Sequence, residues 1–230
     1  MSRPLVSCIV PVFNGADYLE EALESVFSQS YRPVEIIVVD DGSTDATPNI
    51  LESYGDRIQR VRQHNTGPSA ARNRGIQQST GELLCFLDAD DIWVADKTEV
   101  QVAQLEREPH PGICTGYQKN FWIEALHEEE VRARNSSLSE PHPGPSSTLM
   151  VRRTVFELIG LFDPELRHRD TAAWLIKARE AGVKIVESEQ LLVHRRIHQN
   201  NLSRNRGAQD ANELFSLIRK HRLKSKDGQA

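Results

Sequence analysis

Cysteine is scarce in this sequence: Cys8, Cys85 and Cys114 are the only three in 230 residues. An odd number of widely spaced cysteines excludes a disulfide framework and a cysteine-based zinc site, and it points to a reducing compartment. Long apolar runs are missing as well. No stretch approaches the ~18 residues of a membrane-spanning helix, and the N-terminus passes straight into a strand pattern without the apolar core of a signal peptide. The expectation is a cytoplasmic protein with at most peripheral membrane contact. A net charge of -5 and a pI near 5.9 provide no overall basic field for nucleic acid phosphates, so nucleic acid is not an expected partner. Also absent are a Walker A lysine loop, GxGxxG, GxSxG and HExxH, which removes the signatures of P-loop, dinucleotide, serine-hydrolase and zinc-peptidase chemistry.

What is present is an ordinary globular composition, 38% hydrophobic and 27% charged, in a chain long enough to bury a core. "LVSCIV" (Leu5 to Val10) is a short, partly β-branched apolar run closed by Pro11 and Asn14, and Leu19, Ala22, Leu23 and Val26 then recur at helical spacing. "VEIIVVD" (Val34 to Asp40) is almost continuously apolar, as a strand covered on both faces should be, and "DGSTD" supplies a turn before a helix through Ile50, Leu51 and Tyr54. The unit repeats with a strand at Ile58 to Gln63, a helix at Ser69 to Gln78 and a strand at Leu83 to Leu87. Such alternation predicts an α/β fold, a Rossmann-like, mainly parallel sheet flanked by helices, with functional loops at the carboxyl ends of the strands. Asp40, Asp41 and Asp88 fall at such ends.

After a helix at Asp96 to Glu106 the pattern becomes less regular. "ICTGY" reads as a strand, Asn135 to Ser147 as a Ser- and Pro-rich mobile loop, and "TLMVRRTVFELIGLFD" as a strand and a short helix. "TAAWLIKAREAG" is a helix that Gly182 can close, "KIVES" and "LLVHRRIH" are two further strands, and Gln209 to His221 is a helix overlapping a basic run.

"CFLDADDIW" (Cys85 to Trp93) runs from a buried strand into three carboxylates, Asp88, Asp90 and Asp91. Like charges so close repel, and compensation by a cation, by basic side chains or by exposure in a turn would each resolve them. Asp88-Ala89-Asp90 is a DxD arrangement. Two carboxylates two positions apart at a strand end can reach a hard divalent cation, Mn²⁺ or Mg²⁺, which takes oxygen ligands and shares its shell with substrate phosphates. A short acidic turn or a helix cap has the same spacing.

The series "VSCIVPVFNGADYLEEALESVFSQSY", "EIIVVDDGSTD", "NTGPSAARNRGI", "GELLCFLDADDIW" resembles the family 2 glycosyltransferases, inverting enzymes of the GT-A fold, in content, order and spacing. The resemblance is close over roughly the first 120 residues and looser through "STLMVRRTVFELIGLFDPEL" to "RRIHQNNLS". It implies one GT-A domain over 1–230, with 1–120 as the nucleotide-sugar half, 121–205 as a less regular acceptor-side half, and 206–230 as a C-terminal helix and basic tail.

The resemblance also implies a function: transfer of a sugar from a nucleoside diphosphate donor, UDP-linked, to a hydroxyl acceptor that the sequence does not identify. A glycan, a lipid-linked intermediate, a small molecule and a peptide all remain open, as does the oligomeric state, a homodimer included. Pro11, Val12, Phe13 and Asn14 fall in the loop that holds the nucleotide base, Phe13 in the place of a packing aromatic. Asp41 matches the acidic residue that reads a uracil-type base, and Arg72 lies in a stretch lining the nucleotide pocket. Asp88 and the adjoining Ala89 match donor-binding positions, Asp90 matches the metal ligand, and Asp91 falls to a turn or cap. His198 matches a histidine near the diphosphate or metal, and neutral imidazole can serve either. His194, an even number of positions earlier, would share a face with it on a continuous strand.

Inversion in one displacement needs a carboxylate to take the acceptor's proton. In the family this is the Asp of an "ED" motif before a helix; here the stretch is "HRDTAAWLIKA", with Asp170 at the base position and Trp174 at the later tryptophan. Arg169 replaces the usual Glu, and Thr171 and Ala172 replace residues usually larger or acidic. Asp170 as the N-cap of the following helix is the plainer alternative. Two rival functions follow from these departures and from the α/β layout: a nucleotide-sugar-binding module without transferase activity, and a sugar nucleotidyltransferase, against which stands the lack of a Gly-rich, Lys-containing N-terminal loop. The chain carries no membrane helices of the kind processive polysaccharide synthases have, so transfer of single sugars is expected.

Overall fold

A computed structural model describes residues 3–107, 112–134, 136, 139–144, 146–166 and 169–202. In the first half the strands are β1 (Val6–Val12), β2 (Val34–Asp40), β3 (Gln59–Arg62) and β4 (Leu83–Phe86), all parallel, in the order β3-β2-β1-β4. Helices α1 (Leu19–Phe27), α2 (Thr47–Ser53) and α3 (Pro68–Gln78) connect them. Side chains alternate between two apolar layers, which explains the unbroken apolar runs. Val6, Cys8 and Val10 of β1 pack in a cluster with Leu19, Leu23 and Val26 of α1, while Ile9 lies in another with Ile76 of α3 and Phe86 of β4.

The β1 strand extends two residues past the expected end, so Pro11 and Val12 are buried strand residues and not part of a loop. Pro11 is tolerated for a physical reason. β4 pairs with β1 only from Val6 to Ile9, so the side on which Pro11 lacks an N–H has no partner strand there. Loop conformation starts at Phe13 and Asn14, the latter at φ 49°.

The second half contains β5 (Ile92–Trp93), α4 (Lys97–Glu106), β6 (Gly112–Trp122), α5 (His127–Ala133), β7 (His142–Gly144), β8 (Met150–Arg152), α6 (Arg153–Ile159), α7 (Asp170–Glu180) and β9 (Lys184–Ile197). These extend the sheet as β4-β8-β6-β9-β5, with β7 on β6. β8 is antiparallel to β4 and β6, β9 is parallel to β6, and β5 is antiparallel to β9, so parallel pairing in the first half gives way to mixed pairing in the second.

Three expectations change here. The stretch read as a loop, Asn135 to Ser147, contains β7, whose Gly144 lies so close to Gln118 of β6 that an added Cβ would meet Gln118 Oε1 at 2.2 Å. "KIVES" and "LLVHRRIH" form one strand, β9, because irregularities in its register with β6 absorb the polar residues between them. His198 stands just beyond that strand, so the shared face predicted for it and His194 does not extend to it. The helix predicted at Gln209 to His221, and the whole 206–230 segment, lie outside the described residues. No helix among those described is long and apolar enough to cross a membrane.

Candidate active site

The amide of Leu87 donates to the Ile9 carbonyl at 3.0 Å, prolonging the β1–β4 pairing until Asp88, so the carboxylates emerge at the carboxyl end of a central strand. A turn closed by the Asp91 amide on the Asp88 carbonyl (3.0 Å) gives the three side chains different surroundings. Asp91 is buried; its carboxyl accepts from Ser147 Oγ (2.7 Å) and the Arg196 amide (3.1 Å). Burial, then the charges of Asp90 and Asp88, push its pKa well above the usual carboxylate range. It is a buried anchor between distant segments, more than the turn residue expected.

Asp90 stays half-exposed. Its Oδ2 accepts from His198 Nε2 at 2.8 Å and Asn201 Nδ2 at 3.0 Å, and the Asn201 side chain also accepts from the His198 amide at 2.7 Å. The imidazole must donate here, because an ionised carboxylate only accepts. Pairing of β5 with β9, Ile92 opposite His194, draws this C-terminal segment onto the DxD turn. Arg196 locks it down: its Nε donates to the Asp90 carbonyl (3.0 Å), it pairs with Glu21 (2.6 Å), and its guanidinium lies between the Tyr18 and Phe121 rings, 4.7 Å from each centroid. His194 has no part in these contacts; burial, then Lys119, lower its pKa.

Asp88 and Asp170, 82 positions apart in sequence, meet on one guanidinium. Arg72 on α3 pairs with Asp88 Oδ1 at 2.7 Å and with Asp170 Oδ2 at 2.8 Å, and it also donates to Ser146 Oγ at 3.0 Å. Ser69, one turn earlier on α3, donates to the same Asp170 Oδ2 at 3.0 Å. Burial works against the charge on Arg72, but Asp88 and Asp170 outweigh it and hold the guanidinium protonated more firmly than usual. Asp170 is the first residue of α7 and makes no capping bond to that helix; Arg169 precedes it in the left-handed region at φ 58°. The N-cap alternative therefore fails. Arg169 points to solvent while Asp170 is buried, so the cation beside the carboxylate is Arg72 and not the sequence neighbour. Trp174 belongs to the core, where it stacks on Phe156 and donates to the Gly160 carbonyl at 2.8 Å.

The loops on the other side of the DxD turn are stitched together. The amides of Asn14, Gly15 and Ala16 donate to Ser43, Thr47 and Asp45 side chains at 2.9 to 3.1 Å, and the Thr44 amide donates back to Asn14 Oδ1 at 2.8 Å. A Cβ added at Gly15 would stand 3.7 Å from that of Ala89, so this loop rests against the DxD turn. Phe13 is 49% exposed at its tip. Asp41 is buried: Oδ1 accepts from Gln63 Nε2 (2.8 Å) and the Thr66 amide (3.0 Å), and Oδ2 from the Gly67 amide (2.8 Å), which fixes the loop leading into α3.

Among the described residues no group of three His, Cys, Asp or Glu side chains is placed to hold a metal ion. Mg²⁺ and similar ions commonly take one or two carboxylates and complete their shell with phosphate and water oxygens, so Asp90 and Asp88 are the residues that could hold one. Asp90 Oδ1 and Asp88 Oδ2 have no partner among the described residues, so two hard oxygens remain open. Sequence reasoning missed Ser69, Ser147, Arg196 and Asn201. Ser69 and Asn201 carried a signal, each three positions from a residue already singled out, Arg72 and His198.

Residues 7–159 match the family model described as glycosyl transferase family 2. The chain belongs to that family. An uncharacterized glycosyltransferase of Rickettsia typhi is 33% identical over 207 residues, 85% of this chain and 64% of the relative, so the chain spans less than two thirds of that protein's length. This family 2 chain also shares its fold with Staphylococcus aureus TarS solved with UDP-GlcNAc (TM-score 0.69, 23% identity, 93% of this chain and 65% of that one). A second fold match is the mannosyltransferase PcManGT of Pyrobaculum calidifontis, solved with GDP-Man and Mn²⁺ (TM-score 0.63, 22% identity, 87% and 59%). The GT-A-type α/β architecture expected from the sequence is thereby shown.

Proposed function

We propose that this family 2 chain is a metal-dependent, inverting glycosyltransferase that moves a sugar from a UDP-linked donor to a hydroxyl acceptor in the cytoplasm. The observation that carries the reading is the Asp88–Arg72–Asp170 bridge, which brings a donor-side carboxylate and a candidate base together beyond the carboxyl end of a central strand. UDP-GlcNAc in TarS and GDP-Man with Mn²⁺ in PcManGT support a nucleoside diphosphate sugar and a divalent cation. Three free, buried thiols support a reducing compartment.

In this reading Phe13 and Asn14 border the base, with Pro11 and Val12 supporting them from β1. Asp41 retains acceptor capacity on Oδ2 for a ring N–H. Asp88 and Ala89 face the ribose and sugar. Asp90 would hold the cation, with His198 fixing the Asp90 carboxylate; when bound, the cation supplies charge neutralisation at the departing diphosphate. Asp170 takes the proton from the acceptor hydroxyl. The acceptor oxygen's bond to the anomeric carbon forms as the bond to the diphosphate breaks, and that electron pair leaves with the nucleotide. Attack opposite the leaving group inverts the anomeric centre.

A panel of UDP- and GDP-sugars with Mn²⁺ and hydroxyl acceptors, read by mass spectrometry, tests the activity, and Asp170→Asn tests the base. General base catalysis contributes about 10²–10⁴-fold, so the variant should lose that much transfer while still binding nucleotide. Transfer at the wild-type rate would remove Asp170 from the role.

A further inference from the structure

Each of the three site carboxylates has one oxygen tied and the other open. Asp88 is tied at Oδ1 by Arg72, and Asp90 at Oδ2 by His198 and Asn201. Asp170 Oδ2 takes both the Arg72 nitrogen at 2.8 Å and Ser69 Oγ at 3.0 Å, whereas Oδ1 has only a long 3.5 Å contact with Thr171 Oγ1. Ser69 is itself buried, and its one hydroxyl proton is shared between Asp170 Oδ2 and the Leu166 carbonyl, 2.7 Å away. Both tethering side chains stand on α3, three residues apart, so they share one helix face.

The geometry points to Ser69 and Arg72 as positioning residues for the base. They pin Asp170 Oδ2 and so select Oδ1 as the oxygen that accepts the acceptor's proton. The other arm of Arg72 sets the distance from that oxygen to Asp88. The inference rests on the transferase reading and adds to it which carboxylate oxygen works and what aims it. A single hydroxyl–carboxylate bond leaves Asp170 a rotational freedom that the two-donor tether removes. A misplacement of about 1 Å at a reacting group can cost on the order of 10²-fold in rate. Arg72 Nε, buried and without a hydrogen-bond partner among the described residues, shows that the guanidinium is oriented by its two terminal nitrogens alone.

The test measures Mn²⁺-dependent hydrolysis of UDP-GlcNAc and of GDP-mannose, with water in the acceptor's place, together with calorimetry of UDP and GDP. Ser69 touches Asp170 and not Asp88, so Ser69→Ala should lower kcat about tenfold and leave donor KM within twofold. Arg72→Met should lower kcat about 10²-fold, and millimolar guanidinium should restore part of that loss in Arg72→Met but none in Ser69→Ala. Arg72→Lys, whose ammonium cannot fork between two carboxylates, should remain impaired. If Arg72→Met fails to fold, Ser69→Ala carries the test alone. Unchanged kcat in Ser69→Ala, or a rise in KM as the only effect of either variant, would overturn the assignment. Binding of UDP or GDP by wild type without hydrolysis of either donor would overturn it too, leaving the donor-binding half of the functional reading intact. Binding of neither nucleotide would remove that reading, and this inference with it.

Discussion

Arg72 shares one positive charge between two carboxylates, and its side chain and that of Asp170 are only 6% and 9% exposed. Removing one partner of a buried pair leaves a charge without compensation, at a cost of about 3–5 kcal/mol. Arg72→Met should therefore be destabilised by that order in urea unfolding, and adding Asp170→Asn should recover a substantial part; additive losses would show that the two side chains do not depend on each other. Lys97 presents the opposite case. It is fully buried, donates to Gln101 Oε1 at 2.7 Å, and lies over the Trp93 ring at 3.9 Å, with the thiols of Cys8, Cys85 and Cys114 as its titratable neighbours. Burial lowers its pKa below the ordinary lysine value. Between the lowered folded pKa and the unfolded value of about 10.4, the unfolded chain binds more protons, so Lys97 contributes more to stability as pH rises. The stability of wild type minus that of Lys97→Met, from urea titrations at neutral and alkaline pH, should increase toward pH 10. A difference independent of pH would contradict this account.

At the scale of elements, α3 has to lie close to β1 for Ser69 and Arg72 to reach Asp170. Gly75 permits that approach: an added Cβ would meet Ile9 Cγ2 at 2.4 Å, and Ile9 is a stiff, fully buried β-branched residue. Alanine would gain about 1 kcal/mol in helix propensity against about 1–3 kcal/mol of overpacking. The overpacking should dominate, so Gly75→Ala lowers the melting temperature and, by displacing α3, lowers turnover; a more stable variant would contradict the close packing. The same packing explains what could be read from sequence. Strands such as Val34–Asp40 were legible because burial on both faces leaves an unbroken apolar run, and the DxD turn because it follows one directly. β7 was not, since three residues including Pro143 have no periodicity and exist only through pairing with β6. Ser147 and Arg196 were equally hidden, because what matters about them is contact with Asp91 across 56 and 105 positions.

Across the whole molecule, one end of the sheet collects four carboxylates from three places in the chain: Asp41 after β2, Asp88 and Asp90 after β4, and Asp170 at the start of α7. Mixed pairing in the second half of the sheet makes this convergence possible, because β8 beside β4 and β9 beside β5 return the later segments to the DxD turn. Arg72 and Arg196 hold Asp88 and Asp91 in their places, but Arg72 is shared between Asp88 and Asp170, and among the described residues no Lys or Arg side chain pairs with Asp90, whose carboxylate is left without a fixed counter-charge. In the proposed function that counter-charge is a divalent cation shared with a nucleoside diphosphate. Calorimetric titration of UDP, and in parallel GDP, into wild type and Asp90→Asn, each with Mn²⁺ and with chelator, tests this directly. One nucleotide should bind wild type with Mn²⁺ and at least tenfold more weakly with chelator, and Asp90→Asn should lose the difference. Equal affinity with and without metal, or the same metal dependence in Asp90→Asn, would contradict it.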